Sequence, residues 1–266
     1  MRRLQFRALK ALVRTVGRTS DGIRICLDEG LTSGTMVDYV YRNEPSGRLV
    51  IGKVLDRVFL SNPGWEAVRV RRRHLEQLMR GAVEALHRVG HPVSILDIAS
   101  GPAGYVLAVL QAAGEEGVVA RCRDLDPRWL EQGRREAQRL GLRNVQFERG
   151  DALNRDDILV LRPRPTLVVA SGFYDWITDD DVVRRSMGIV CEALEPGGYF
   201  VCTNQAAHPD LEMVSAVFTD FTHQALRMIM RSPAQVQAWL EAAGFRADET
   251  LVDQWGYYSV TRAQKP

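Results

Sequence analysis

Residues 93–105 read V-S-I-L-D-I-A-S-G-P-A-G-Y: an apolar run closed by Asp97, a turn of small residues, and a helical pattern that opens at Tyr105. The order is strand, tight turn, helix. Ala99, Gly101, Ala103 and Gly104 carry almost no side chain, so backbone N–H groups and a helix N-terminus can approach a ligand closely there. Asp97 adds a fixed acceptor at the carboxyl end of the strand. The same kind of turn also serves merely to pack a helix on a sheet, so its surroundings decide what it means.

Downstream, strands and helices alternate. A strand over 118–123 leads into D-L-D-P, where Asp126 can cap a helix that starts at Pro127 and stops at Gly141. A third strand, 144–149, ends in Gly150-Asp151-Ala152, and a helix follows over 156–162. The fourth strand, 166–170, ends in S-G-F-Y-D-W at 171–176. Thr178 with Asp181 resembles a capping box for a helix through Leu194, and Pro196-Gly197-Gly198 turns the chain into a strand over 199–203. His208-Pro209 opens a helix with Met213, Val217 and Phe221 along one side. Ser232, Pro233 and Gln235 open the next, which stops at Gly244. Two last strands, 250–253 and 255–261, are close enough to pair antiparallel.

This alternation predicts an α/β fold: a Rossmann-like, seven-stranded, mostly parallel sheet, its last strand antiparallel, sandwiched by helices over residues 91–266. Residues 1–90 are expected to form an N-terminal helical cap or lid. Leu4, Ala8, Leu9, Leu12, Val13 and Val16 recur at helical spacing, with Arg7, Lys10, Arg14 and Arg18 on another face. Residues 20–63 show short mixed patterns and many turn residues. Asn62-Pro63 then reads as the cap and first position of a long helix ending near Gly90.

Three acidic residues, Asp97, Asp124 and Asp151, stand at the ends of three successive strands and should converge on one cleft, although each alone could serve a turn. Asp124 follows Asp97 by 27 positions, about where a ribose diol needs a bidentate acceptor.

Of the residues, 45% are hydrophobic and 26% charged, as in ordinary globular proteins, and no apolar run approaches the ~18 residues of a membrane span. Arg7, Lys10 and Arg14 interrupt any signal-peptide core, so a cytoplasmic location is expected. The four cysteines form no C-x-x-C pair, which indicates neither a metal site nor a disulfide framework. The net charge of +2 is uneven: residues 1–73 hold 15 Lys+Arg against 7 Asp+Glu, and the remainder 20 against 26. That surplus could attract an anionic substrate, a membrane surface or nucleic acid, or join the two parts.

L-D-I-A-S-G-P-A-G (96–104), R-D-L-D-P (123–127), G-D-A (150–152) and E-P-G-G-Y-F (195–200), in this order, resemble a class I S-adenosylmethionine-dependent methyltransferase over residues 91–266. The resemblance implies that the turn at Asp97, Ala99, Ser100, Gly101 and Gly104 contacts the methionine part of the cofactor. It implies Asp124 at the ribose hydroxyls, Leu125, Asp151 and Ala152 at the adenine, and the sulfonium facing Ser171 and Gly172. The family's turn is acidic-x-Gly-x-Gly-x-Gly, and this chain has alanine at 99 and 103, where a positive φ would be less well tolerated.

D-Y-V-Y-R-N (38–43), G-W-E-A-V-R (64–69), L-R-P-R-P-T (161–166), S-G-F-Y-D-W and W-G-Y-Y-S-V (255–260) are similar to a narrower bacterial methyltransferase family that also occurs joined to α/β-hydrolase domains.

Methyl transfer from a sulfonium needs positioning, exclusion of water and, for some nucleophiles, a base. Tyr174, Asp175 and His208 are the candidates for catalysis. Tyr39, Tyr41, Trp65, Arg69, Tyr174, Trp176, Asn204, Gln205 and His223 are the candidates for binding the acceptor. The acceptor is expected to be a small molecule or lipid precursor, with an anionic one suited to the basic cover, and S-adenosylhomocysteine would be the by-product. A nucleic-acid methyltransferase is the alternative, disfavoured because S-G-F-Y stands where base-modifying enzymes place Asp/Asn-Pro-Pro-aromatic. A cofactor-binding protein of the same fold without methyl transfer, a membrane contact through the basic N-terminal helix, and a homodimer remain open.

Overall fold

The computed structural model describes residues 2–114, 117–208 and 210–266. In chain order the helices begin with α1 (Arg2–Arg14), α2 (Asp21–Glu29), α3 (Gly34–Arg42), α4 (Leu49–Leu60) and α5 (Pro63–Arg88). Then follow β1 (Val93–Asp97), α6 (Gly104–Ala113), β2 (Val118–Asp124), α7 (Pro127–Arg139), β3 (Val145–Arg149), α8 (Arg155–Leu159) and β4 (Leu167–Ala170). The chain continues through α9 (Asp180–Ala193), β5 (Tyr199–Gln205), α10 (Leu211–Val217), α11 (Pro233–Ala242), β6 (Arg246–Val252) and β7 (Tyr258–Gln264). Short 3-10 turns cover Val16–Thr19 and Tyr174–Trp176.

The chain divides into two compact units, residues 1–70 with 207–228 and residues 71–206 with 229–266. The division falls inside α5, twenty residues before the boundary expected at 90/91, and the first unit recruits the segment after β5.

The second unit is built on one sheet of order β3-β2-β1-β4-β5-β7-β6. β1 to β5 run parallel, and β7 is antiparallel to both β5 and β6. The strand order reverses between β1 and β4, and in sheets of this kind ligands bind beyond the carboxyl ends of the strands near such a reversal. Alternate strand residues feed opposite faces. Ile95, Leu167 and Val169 join one core with Leu75, Met79 and Val106, whereas Leu96, Val168 and Ala170 join another with Met187, Phe200 and Leu240. All four residues of β4 are buried, as expected of a strand covered on both sides.

Caps set the helix starts. Asp126 accepts from the Arg128 N–H at 2.9 Å and Ser232 from the Gln235 N–H at 3.1 Å, each followed by proline as the sequence predicts. α9, by contrast, is capped by Asp179, which accepts from the Asp181 N–H at 2.8 Å, so Thr178 is not the cap. α8 starts one residue earlier than expected and stops at Leu159, because Asn154 caps it. β6 starts at Arg246 and is longer than expected, whereas β7 keeps the expected length but is shifted to Tyr258–Gln264; they are joined by a turn in which Asp253 accepts the backbone N–H groups of Trp255 and Tyr258.

In the first unit, the stretch that looks turn-rich in sequence holds α2, α3 and α4. They meet on Asp56, fully buried, which accepts from Ser20 Oγ at 2.5 Å, Gly22 N–H at 2.8 Å, Ser46 N–H at 2.9 Å and the Tyr39 hydroxyl. α10 ends at Val217, so Phe221 lies beyond it and is exposed. The Leu4 side chain and Pro209 lie outside the described residues. Among the described residues no helix is long and apolar enough to cross a membrane.

Candidate functional site

Asp97 ends β1 with its side chain wholly buried, and no hydrogen bond of full geometry reaches either carboxylate oxygen. Burial pushes its pKa up to about 8; the nearby Asp124 charge adds to the rise, and the Tyr105 hydroxyl and Ala99 amide oppose it. A cation placed beside it would favour the ionised form and draw the pKa back down.

The turn after Asp97 is pinned from three sides. Ile98 N–H donates to the Val169 carbonyl at 3.1 Å, Ser100 N–H to the Arg123 carbonyl at 2.9 Å, and Ala103 N–H to the Ser100 carbonyl at 2.9 Å. Gly101 has φ +52° and a Cβ built there would meet nothing within 4 Å, so open space lies over the turn. Ala103 has φ +57°, a left-handed conformation that alanine occupies at some cost. The second alanine thus carries backbone strain, and the chain follows the left-handed path regardless.

Asp124 ends β2 beside this turn. Its Oδ2 accepts from Gly101 N–H and its Oδ1 from Asp126 N–H, both at 2.9 Å. Each oxygen keeps a second lone pair for a ligand hydroxyl. Gly150 N–H donates to the Asp124 carbonyl at 3.3 Å, which sets Asp151 two residues beyond the end of the neighbouring strand. Asp151 closes its own turn by accepting from Leu153 N–H at 2.9 Å, and Ala152 is buried. Leu125 is 54% exposed, an apolar surface next to the diol acceptor. Beyond β4, Gly172 N–H donates to Thr203 Oγ1 at 2.7 Å, and Ser171 is half-buried.

Other expected residues have different work. Tyr174 is a core residue: it is 3% exposed, its hydroxyl lies 3.1 Å from Ser186 Oγ, and burial raises its pKa. Asp175 is buried too, accepting from Gln205 N–H at 2.8 Å and pairing with Arg71 Nη1 at 3.6 Å. Burial raises its pKa and Arg71 opposes the rise. Asn204 donates to the Arg231 carbonyl at 2.6 Å, and Gln205 is 2% exposed. These four are sealed structural groups, because the polar segment after β4 folds inward onto Arg71 and Arg231. Trp176, in the same segment, is half-buried.

Five acceptor-binding candidates and His208 belong to the first unit. Tyr39 is spent on Asp56 and Ser46, and burial with the Asp56 hydrogen bond raises its pKa to about 12. Trp65 packs edge-on to Phe59, centroids 5.6 Å apart, and Arg69 donates to the Leu60 carbonyl at 2.9 Å. Tyr41 is half-buried, and His223 is exposed in a turn at φ +61°. Burial lowers the His208 pKa against the pull of Asp210, which favours a neutral imidazole.

Arg71 and Arg72 were not singled out in the sequence. Arg71 stacks over the Tyr258 ring at 4.8 Å and lies beside Gly172, 3.7 Å from where a Cβ would stand. Arg72 reaches the Gly104 carbonyl at 3.4 Å while pairing with Glu76. That Arg71 turns inward depends on Asp175 and Tyr258, more than a hundred residues away, which helical spacing does not reveal.

The profile of the family described as "Putative methyltransferase" matches residues 1–265. "Uncharacterized protein YnbC" from Escherichia coli (strain K12) is 34% identical over 263 residues, which is 98% of this chain and 45% of that relative. The chain thus spans less than half the length of the curated relative it matches. The crystal structure of a "possible exported protein" from Bordetella parapertussis aligns with a TM-score of 0.71 at 24% identity, covering 96% of this chain and 86% of the other. Magnesium protoporphyrin IX methyltransferase (ChlM) from Synechocystis PCC 6803, with bound SAH, aligns with a TM-score of 0.58 at 13% identity over 90% of this chain and 98% of its own. These structural likenesses establish the fold.

Proposed function

The chain belongs to that methyltransferase family, and from this premise we propose that it transfers the methyl group of S-adenosylmethionine to a small-molecule or lipid-precursor acceptor. The observation that carries the proposal is the buried Asp97 carboxylate without a full hydrogen bond, set under an open turn and beside Asp124. A buried, under-satisfied carboxylate is costly unless a ligand completes it. The residues therefore fit the cofactor that the family implies.

When bound, that cofactor supplies a methyl group on a positively charged sulfur, already activated for in-line displacement. The chain's part is to hold and orient. Asp97 would receive the ammonium group, and the Ser100–Gly104 backbone would lie along the methionine part. Asp124 would accept both ribose hydroxyls while its other lone pairs keep the Gly101 turn in place. Leu125 and Ala152 would flank the adenine. Tyr174 and Asp175 do not act as the base in this scheme, since both are sealed and committed. The acceptor then arrives as a competent nucleophile, such as a free amine or an enolate, or its base lies elsewhere. A small acceptor is supported by the fold shared with a protoporphyrin-methylating enzyme.

The test is incubation with methyl-labelled S-adenosylmethionine and a deproteinised extract of metabolites and lipids. The proposal expects S-adenosylhomocysteine release and label in a small product, both lost in Asp124→Ala. Release no greater than in Asp124→Ala, or label found on RNA alone, would overturn it.

A further inference from the structure

α4 leaves one face uncovered. Val50 is 79% exposed, Val58 67%, Ile51 54% and Val54 53%, and a helical wheel gathers these four into one continuous strip. Lys53 and Arg57, both exposed, border the strip, and exposed Arg48 precedes the helix. The helix's acidic residue, Asp56, is buried and bound to Ser20, Gly22, Tyr39 and Ser46. α4 therefore shows solvent aliphatic carbon and positive charge, with no exposed carboxylate of its own. At its start Leu49 takes φ +58° and is 81% exposed, which extends the apolar surface. β-branched residues on an exposed helix face do not help the helix form, so local folding does not account for them.

A cluster of exposed aliphatic side chains marks an interface. Charge decides which. A second copy docking this face against itself would bring Lys53 and Arg57 towards their own duplicates. An anionic bilayer offers acyl chains to the strip and phosphates to the cations. We propose that this face of α4 docks on an anionic lipid surface. The inference is independent of methyl transfer and stands or falls separately.

The test is cosedimentation of the full chain with vesicles of phosphatidylcholine, alone or with roughly one third phosphatidylglycerol. Binding is expected only to the anionic vesicles and should weaken with added salt. Lys53→Gln with Arg57→Gln should lower partitioning about tenfold or more, as should Val54→Ser with Val58→Ser, with thermal midpoints near that of the unsubstituted chain. Failure to bind, equal binding to both vesicles, or indifference to both double variants would overturn the proposal. So would loss of binding in Lys10→Gln with Arg14→Gln alone, which would assign the contact to α1. A dimer in sedimentation velocity that Val54→Ser with Val58→Ser dissolves would assign the face to a second copy.

Discussion

A carboxyl group sealed from water, as Asp97 is, holds its proton to higher pH than it would in the unfolded chain. Between its ordinary value of 3.8 and the folded value of about 8, the native state binds more protons than the unfolded state. The stability from that proton is complete below the lower value and is lost as pH rises towards the upper one. Chemical denaturation across this window should show ligand-free stability falling with pH, and Asp97→Asn should flatten the fall. An unchanged slope in Asp97→Asn would refute the assignment. Ala103 gives a second test. Its left-handed φ of +57° and full burial leave no room for a branched side chain, so Ala103→Val should cost at least ~2 kcal/mol, read from the denaturation midpoint. Asp97 and Asp124 were legible in the sequence because each follows a recognisable strand. Tyr174 and Asp175, expected in catalysis, are buried; polar and aromatic residues after a strand look alike in sequence whether they face a cleft or the core. Their burial follows from Arg71 and Arg231, which local spacing does not reveal.

Helix starts follow the same logic one level up, since a cap is a side chain that satisfies an otherwise orphaned N–H. Asp179→Ala should destabilise the protein by about 1 kcal/mol and Thr178→Ala by less than about 0.5, because only Asp179 accepts from the Asp181 N–H. Equal costs by thermal or urea denaturation would restore Thr178 as the cap. Where proline follows the cap, at Asp126-Pro127 and Ser232-Pro233, the sequence was sufficient. The alternating strands were equally plain, because each is an apolar run between turn signals. α2, α3 and α4 were not. Two have nine residues and one has twelve, which leaves little room for periodicity, and their common tie is the polar Asp56. Asp56→Ala would strand four donors in the interior and should cost about 3 kcal/mol or more, measured by denaturation.

At the scale of the whole molecule, one chain carries two units with different content. The second holds the expected cofactor residues on one sheet, at or just beyond the carboxyl ends of β1 to β4. The first holds several arginines, the Asp56 junction and the uncovered face of α4, and the basic surplus of residues 1–73 lies mostly within it. Charge counts disclosed that surplus without disclosing its use, since exposure is a property of the folded surface. The central claim, that the carboxyl ends of β1 and β2 receive S-adenosylmethionine, is tested most directly by isothermal titration of the cofactor into the unsubstituted chain, Asp124→Asn and Asp124→Ala. One site per chain is expected, weakened roughly a hundredfold or more in Asp124→Ala and less in Asp124→Asn, because the two hydrogen bonds to a charged acceptor are each worth about 1.5–3 kcal/mol. Thermal midpoints of the ligand-free variants separate lost contact from lost fold. No heat with the unsubstituted chain, or undiminished binding in Asp124→Ala, would contradict it.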